Sequence, residues 1–337
     1  MKQAPVAITM GDINGIGPEV IIKSLQNVVD MRQRFIITGP FGAFNYWQDQ
    51  LGIFLKDVAP VTEEEISLCD APLMFFEPPD LEKVDIQVGR ETAESGHAAA
   101  KSIISAVDLA LKGKVDAIVT APVSKYAIGL AGYDFRGHTE FLAKLANVPS
   151  TVMMLVSEKI KIALATTHIP LHAVDGALSQ ESLIETIEVL ALELKTRLNI
   201  SLPRIALAGL NPHAGEHGEF GDAEEKVIKP AIDILRSRHI SLEGPFSADA
   251  LFSRMFEDAK YDAYLAMYHD QGMIPIKIIS EGQAVNYTCG LPFIRTSPGH
   301  GTAFDLAGTG RACPASMTKA IEYAVYVSKT SGKCRIL

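Results

Sequence analysis

Short apolar runs alternate along this chain with stretches whose hydrophobic positions recur at helical spacing. Residues 6–10, 35–39, 116–123, 161–168, 204–213 and 263–269 read as buried strands. Between 181 and 198, Leu183, Ile184, Ile187, Leu190, Ala191, Leu194 and Leu198 fall on one stripe of a helix. Asp222 followed by Glu225 predicts a capping-box-like start to another helix, running through Val227, Ile228, Ala231, Ile232 and Leu235. Further helices are expected from near Pro18, a residue suited to a first helical turn, and from near Ser316. Strands alternating with helices define an α/β sheet with many parallel neighbours. Ligands in such sheets gather at the carboxyl ends of strands, where the chain leaves the core and side chains can converge.

Three of the runs end in polar clusters: TTHIPLH (166–172), NPHAGEHGEFGD (211–222) and YHDQG (268–272). His168, His213 and His269 each close a predicted strand beside Pro170, Pro212 or Gly272. Three imidazoles suffice for a catalytic divalent ion, because three protein ligands leave one coordination position open to a substrate oxygen. Asp270 is placed to act as an acceptor behind His269 or as an extra ligand. For any one of these histidines a local hydrogen bond is the commoner explanation, and only their shared placement favours a metal. His172 and His217 sit further into their loops, and His97 falls on a helix as a structural residue.

The segment ITMGDINGIGPEV (8–20) is a strand, a glycine-rich turn and a helix start that does not match G-x-G-x-x-G. Its Gly11, Gly15 and Gly17 allow close approach of a ligand to backbone N–H groups, and a tight strand-to-helix turn explains them nearly as well. A second glycine-rich loop, 297–314, carries His300 and precedes a helix, as a cofactor cradle would. Lys277, Asn286 and Arg295 follow at nearly equal intervals in a region otherwise poor in positive charge, and read as clamps for an anion.

Composition narrows the partners. At 337 residues the chain is long enough for two domains. A formal charge of −9 argues against a nucleic-acid surface and fits a small anionic ligand held in a locally positive pocket. No apolar stretch approaches a membrane span and the N-terminal apolar run is too short for a signal peptide, so a cytoplasmic protein is expected. Cys69, Cys289, Cys313 and Cys334 lie far apart, which disfavours both a disulfide framework and a thiolate metal site.

The chain also resembles, over nearly its whole length, the 4-hydroxythreonine-4-phosphate dehydrogenases of pyridoxal phosphate biosynthesis. The resemblance is carried in order by GIGPE (15–19), GHTEF (137–141), VMML (152–155), ALATTHIPL (163–171), GLNPHAGE (209–216), AMYHDQG (266–272) and GLPFIRTS (290–297). The loop 300–314 is similar to the adenosine-binding loop of isopropylmalate and isocitrate dehydrogenases. What this implies is an α/β, isopropylmalate-dehydrogenase-like two-domain fold with a non-Rossmann dinucleotide site. Residues 1–132 and 275–337 would form the cofactor side, and 133–274 the dimerisation, metal and substrate side.

By the same resemblance His168, His213 and His269 become ligands of zinc, magnesium or cobalt, and His138, Thr139, Lys277, Asn286 and Arg295 bind substrate. His300, Gly301, Thr302 and Asp305, with Gly15 and Gly17, face NAD or NADP. Asp270, Asp249 or a metal-bound water would take the proton. The enzyme would be a homodimer in which His168 and His213 of one chain meet the third histidine of the other. The reaction implied oxidises 4-phosphooxy-L-threonine at C3 to a β-keto acid that decarboxylates to 3-amino-2-oxopropyl phosphate. Alternatives are a 4-phospho-D-threonate or erythronate dehydrogenase and, from other classes, a phosphate acyltransferase or a metal-dependent hydrolase. Two positions depart from the family pattern: Gly299 stands where an acidic residue is common, and Ile13-Asn14 where Pro-Ala is.

Overall fold

The six apolar runs all form strands, each shorter than its run. The structure, a computed structural model, describes residues 3–28, 33–254 and 260–331, so Cys334 lies outside the described residues. The chain divides into two units, one reaching to Val148 and including Leu291–Ser328, the other Pro149–Gly290 with the described residues from Lys329 on. Relative to the boundaries expected from sequence, residues 133–148 belong with the first unit and 275–290 with the second.

In the first unit the chain runs β1 (Val6–Thr9), α1 (Gly17–Val28), β2 (Phe35–Thr38), α2 (Phe41–Leu51), β3 (Val58–Pro60), β4 (Leu73–Phe76), α3 (Ala93–Leu111), β5 (Ala117–Thr120), α4 (Lys125–Leu130) and α5 (His138–Ala146). In the second it runs β6 (Val152–Val156), β7 (Lys161–Leu164), α6 (Val174–Ala177), α7 (Gln180–Thr196), β8 (Arg204–Ala208), α8 (Lys229–Ser237), β9 (Ser241–Phe246), α9 (Ala248–Arg254), β10 (Ala263–Ala266), α10 (His269–Ile279) and β11 (Val285–Cys289). The first unit closes with β12 (Ile294–Ser297) and α11 (Ala315–Ser331), whose residues from Lys329 on count with the second unit.

Strands of the first unit lie in the order β3-β4-β2-β1-β5-β12, every pair parallel. Those of the second lie β11-β6-β7-β10-β8-β9, antiparallel from β11 to β7 and parallel from β7 to β9. The central parallel strands β1, β2, β5 and β10 are buried along their whole length, which is why they are almost entirely apolar. Ala7, Ile36, Met74 and Ile118 meet Ile103 and Val107 of α3 in one core; Ile162, Leu164, Ala206, Tyr264 and Ile276 form another. Helix α3 opens on a capping box of Thr92 and Ser95 and comes so close to α4 that a Cβ on Gly96 would lie 1.9 Å from the Ala127 carbonyl oxygen.

Two sequence expectations change. The strand ending at His269 stops at Ala266, because the side-chain oxygen of Gln271 takes the Met267 N–H (2.6 Å) and turns the chain into α10, where His269 is the first residue. The capping box at Asp222 and Glu225 does not form. Asp222 pairs with Lys226, and a π-helical turn, Glu224–Ile228, leads into α8 with Glu224 pointing inward.

Candidate active site

Strands β7, β10 and β8 are parallel neighbours, so their carboxyl ends lie side by side. Those ends are tied together. Thr166 donates through its backbone N–H and its hydroxyl to the Met267 carbonyl (3.2 and 2.7 Å), and Gln271 Nε2 donates to the Gly209 carbonyl (2.7 Å). His168 and His269 leave these ends with their rings 5.6 Å apart, centre to centre. His269 Nδ1 lies 2.7 Å from the Asp270 carboxylate. His213 Nδ1 is held in the same way by Glu216, at 2.9 Å. A carboxylate on Nδ1 fixes the ring and leaves Nε2 as the donor to a metal, so both rings fit the role of ligands. Glu216 also holds the His213 pKa above the ordinary imidazole value, first by this hydrogen bond and then by its charge. Among the described residues no three metal-ligating side chains of the one chain gather closely enough to hold an ion.

The loop that carries His213 is unusual. Five successive residues, His213 to His217, have φ between 42° and 82°, a full turn of left-handed backbone. For residues other than glycine this costs roughly 1–2 kcal/mol each, so something must hold it. His213, Ala214, Glu216 and His217, with Lys229 and Pro245, line a cleft of about 360 Å³. Asp249 faces the same loop. A hydrogen bond from Ser247 lowers its pKa first, with a smaller contribution from the charge of His213, which suits a carboxylate that stays ionised more than a strong base.

In the first unit, Arg295 on β12 is 1 % exposed and its guanidinium donates to the Thr120 hydroxyl at the end of β5 (2.6 Å from one terminal nitrogen). Burial pulls its pKa down to about 9. His138, the first residue of α5, is half-buried, with its Nε2 fully covered and without a hydrogen-bond partner. Burial above all, then the charges of Arg295 and Lys125, hold this imidazole well below its ordinary pKa, so it is neutral at pH 7. An uncharged ring with an orphaned nitrogen between two cations is suited to an anionic, hydrogen-bonding ligand. Thr139 follows on the same helix. Lys125 was not singled out from sequence; only its position just after β5, at a strand's carboxyl end, could have flagged it. In the second unit, Lys277 is exposed on α10 and Asn286 on β11 carries a covered side-chain oxygen without a partner.

The loop after β12 also belongs to the first unit. His300 lies there with Nδ1 3.1 Å from the Gly301 carbonyl and a buried, unpartnered Nε2, the mark of a group that awaits a ligand. Gly301 has open space around its Cα, and Asp305 is exposed. The Thr302 carbonyl accepts from Ile16 N–H (3.0 Å) and would meet a Cβ on Gly15 at 2.9 Å; a Cβ on Gly17 would meet the Met10 carbonyl at 2.6 Å. Packing thus accounts for both glycines. Buried Glu19 accepts from Ala312 N–H (2.9 Å) and from Lys23 Nζ (2.7 Å), and Lys23 also holds the carbonyls of Gly310 and Ala312 (2.8 and 3.0 Å), pinning the loop to α1. Asn14, where the pattern departs, is fully buried and braces 87–92: its side chain accepts from Gln87 N–H (2.8 Å) and donates to the Arg90 carbonyl (3.0 Å).

Histidines with carboxylates lie beyond the carboxyl ends of parallel strands in one unit, and in the other a buried arginine on β12 reaches the carboxyl end of β5 near a neutral histidine, as in α/β enzymes acting on small anions. The chain belongs to the PdxA family, the pyridoxal phosphate biosynthetic proteins, whose model matches residues 22–324. It is 40 % identical over 332 residues to the 4-hydroxythreonine-4-phosphate dehydrogenase of Desulforapulum autotrophicum, covering 98 % of this chain and 97 % of that one. It is 39 % identical to the D-threonate 4-phosphate dehydrogenase of Pectobacterium atrosepticum, covering 96 % and 99 %. The crystal structure of a 4-hydroxythreonine-4-phosphate dehydrogenase from Klebsiella pneumoniae superposes with a TM-score of 0.87 at 37 % identity, over 97 % of this chain and all (100 %) of that one.

Proposed function

We propose that this chain is a metal-dependent, NAD- or NADP-linked dehydrogenase that oxidises 4-phosphooxy-L-threonine at C3. The β-keto acid formed loses CO₂ to give 3-amino-2-oxopropyl phosphate, on the route to pyridoxal 5'-phosphate. The observation that carries this reading is the strand-end histidine set, in which His213 and His269 have Nδ1 engaged by Glu216 and Asp270 and keep Nε2 for a ligand. Full-length similarity to dehydrogenases of phosphorylated hydroxy acids supports it. When bound, a divalent ion such as zinc, magnesium or cobalt supplies a Lewis acid for the hydroxyl and later for the ketone, and the nicotinamide supplies the hydride acceptor.

The chain's own residues do the rest. Arg295 and Lys277 offer charge to the phosphate and carboxylate of the substrate, and His138, Thr139 and Asn286 offer hydrogen bonds. Burial keeps His138 neutral, so it adds orientation without adding charge. His300, Gly301, Thr302 and Asp305 are the residues for the adenosine half of the cofactor, supported by the unpartnered Nε2 of His300. Asp270 is committed to His269 and the lowered pKa of Asp249 makes it a weak base, so of the three candidates a metal-bound water is the favoured proton acceptor.

The enzyme is read as a cytoplasmic homodimer; among the described residues no helix is long and apolar enough to cross a membrane. Exposed apolar side chains next to the histidines, Ile274 and Ile278 on α10 with Ile169 and Leu171, suit a subunit interface. A shared metal site has two partitions: His168 and His213 with the partner subunit's His269, as the family resemblance gives, or His168 and His269 with the partner subunit's His213, as their 5.6 Å ring contact favours. A second substrate reading, D-threonate 4-phosphate, rests on the near-equal similarity to the Pectobacterium enzyme. Steady-state assays with both substrates decide: kcat/KM is expected to be at least ~10-fold higher for the amino acid, a preference of ~1.4 kcal/mol, and the reverse ratio would overturn the choice.

A further inference from the structure

The left-handed turn 213–217 stands against one buried side chain, Glu224 from the π-helical turn ahead of α8. Glu224 is 0 % exposed, and its two carboxylate oxygens are divided between the two N–H groups of one residue: Asn211 backbone N–H on Oε1 (2.7 Å) and Asn211 Nδ2 on Oε2 (2.9 Å). The same clamp crowds Gly215 and Gly221 and contributes at Gly209, where the nearest neighbour of a Cβ would be Ala214 Cα at 2.9 Å. A Cβ on Gly215 would come 2.7 Å from Glu224 Oε2, one on Gly209 3.1 Å from Glu224 Oε1, and one on Gly221 2.6 Å from Asn211 Nδ2. Asn211 in turn begins the turn, since its carbonyl accepts from Ala214 N–H (3.2 Å).

We propose that Glu224 is the positioning residue of the histidine loop: by gripping both N–H groups of Asn211 it holds the left-handed turn that presents His213 to a divalent ion. The inference rests on the metal reading above. It assigns a buried carboxylate that touches neither ion nor substrate, and it accounts for how an unfavourable backbone is kept in one conformation. The geometry is also specific in polarity. In Glu224→Gln the amide oxygen can still take the Asn211 backbone N–H, and its NH₂ can donate to Asn211 once that side-chain amide turns its own oxygen inward, so this variant keeps the clamp, whereas Glu224→Leu removes both acceptors. Asn211→Asp sets two carboxylates against each other. Combining Glu224→Gln with Asn211→Asp restores complementarity, because the introduced amide NH₂ then donates to the introduced carboxylate while the amide oxygen keeps the backbone N–H.

The test is cobalt(II) binding to the metal-free protein, followed by visible absorption and titration, for wild type, Glu224→Leu, Glu224→Gln, Asn211→Asp, the double variant Glu224→Gln with Asn211→Asp, and His213→Ala. Thermal unfolding of each is recorded alongside. Glu224→Leu and Asn211→Asp are each expected to bind cobalt(II) at least ~10-fold more weakly, in the range seen when an outer hydrogen-bond partner of a ligand is lost, while Glu224→Gln and the double variant stay within a few-fold of wild type. Wild-type affinity in Glu224→Leu, with affinity lost in His213→Ala, overturns the positioning role and leaves the metal reading intact. Equal binding by wild type and His213→Ala overturns both. A folded double variant that binds as weakly as Asn211→Asp shows that the pairing is not what presents His213. If Glu224→Leu or Asn211→Asp fails to fold, the double variant alone carries the decision.

Discussion

Asp12 lies just beyond β1, fully buried, and replacing it with asparagine should change how stability depends on pH. Burial raises its pKa from 3.8 to about 6; hydrogen bonds from Asn14 N–H (3.0 Å) and the Ser95 hydroxyl (3.2 Å) oppose the rise, and the charge of Glu91 adds to it. Between those two values the folded chain keeps a proton that the unfolded chain has released. Stability therefore falls as pH climbs from about 4 to about 6. Above that window the folded state carries the whole cost of the buried charge, about 3 kcal/mol for a shift of this size. Asparagine preserves the contacts: its oxygen accepts from Asn14, and its NH₂ donates to Ser95 Oγ, which itself donates to the Thr92 carbonyl (3.1 Å). Urea unfolding of Asp12→Asn and wild type at pH 4 and pH 7 is the assay. The variant should gain up to about 3 kcal/mol over wild type at pH 7 and nothing at pH 4. A gain of equal size at both pH values, or a loss at pH 7, would refute the assignment of the cost to buried charge.

Arg295→Ala and Lys277→Ala should each raise KM for the phosphorylated substrate ~10-fold or more while metal content stays at the wild-type level, as loss of a charge-assisted contact requires; unchanged KM in both would remove them from the anion site. Gly96→Ala should lower stability by ~3 kcal/mol or more, since its Cβ would overlap the Ala127 carbonyl and α3 must move away from α4; a neutral effect in thermal unfolding would contradict that packing. Mixing inactive His213→Ala and His269→Ala subunits should return about a quarter of wild-type activity under random exchange, because both partitions draw these two residues from opposite chains. The mixture His168→Ala with His269→Ala recovers only if His168 pairs with His213 of its own chain. No recovery in any pairing, despite demonstrated exchange, would mean an unshared site.

Buried parallel strands and the stripe of α7 were readable because burial on both faces leaves a continuous apolar run, and burial on one leaves a 3.6-residue period. Strand ends were not. The run through His269 looked like one strand because its termination depends on Gln271 reaching back to Met267 N–H, a bond with no periodic signature. Polar residues at strand ends drew attention to His168, His213 and His269 as candidates, but neither the ring contact of the first and last nor the left-handed turn at His213 follows from spacing. Glu224 was hidden for a related reason. It reads as an ordinary acidic residue at a helix start, and only a partner thirteen residues back in sequence, Asn211, draws it inward.

Metal-assisted oxidation is tested most directly by assaying chelated, metal-free protein for NADH or NADPH formation from 4-phosphooxy-L-threonine before and after zinc is added. The expected result is no reduced nicotinamide without the ion, restoration when zinc is supplied, and no restoration in His213→Ala at the same zinc concentration. Full-rate reduction by the metal-free protein would contradict a metal-dependent dehydrogenase, as would zinc-dependent release of inorganic phosphate with no reduced nicotinamide formed.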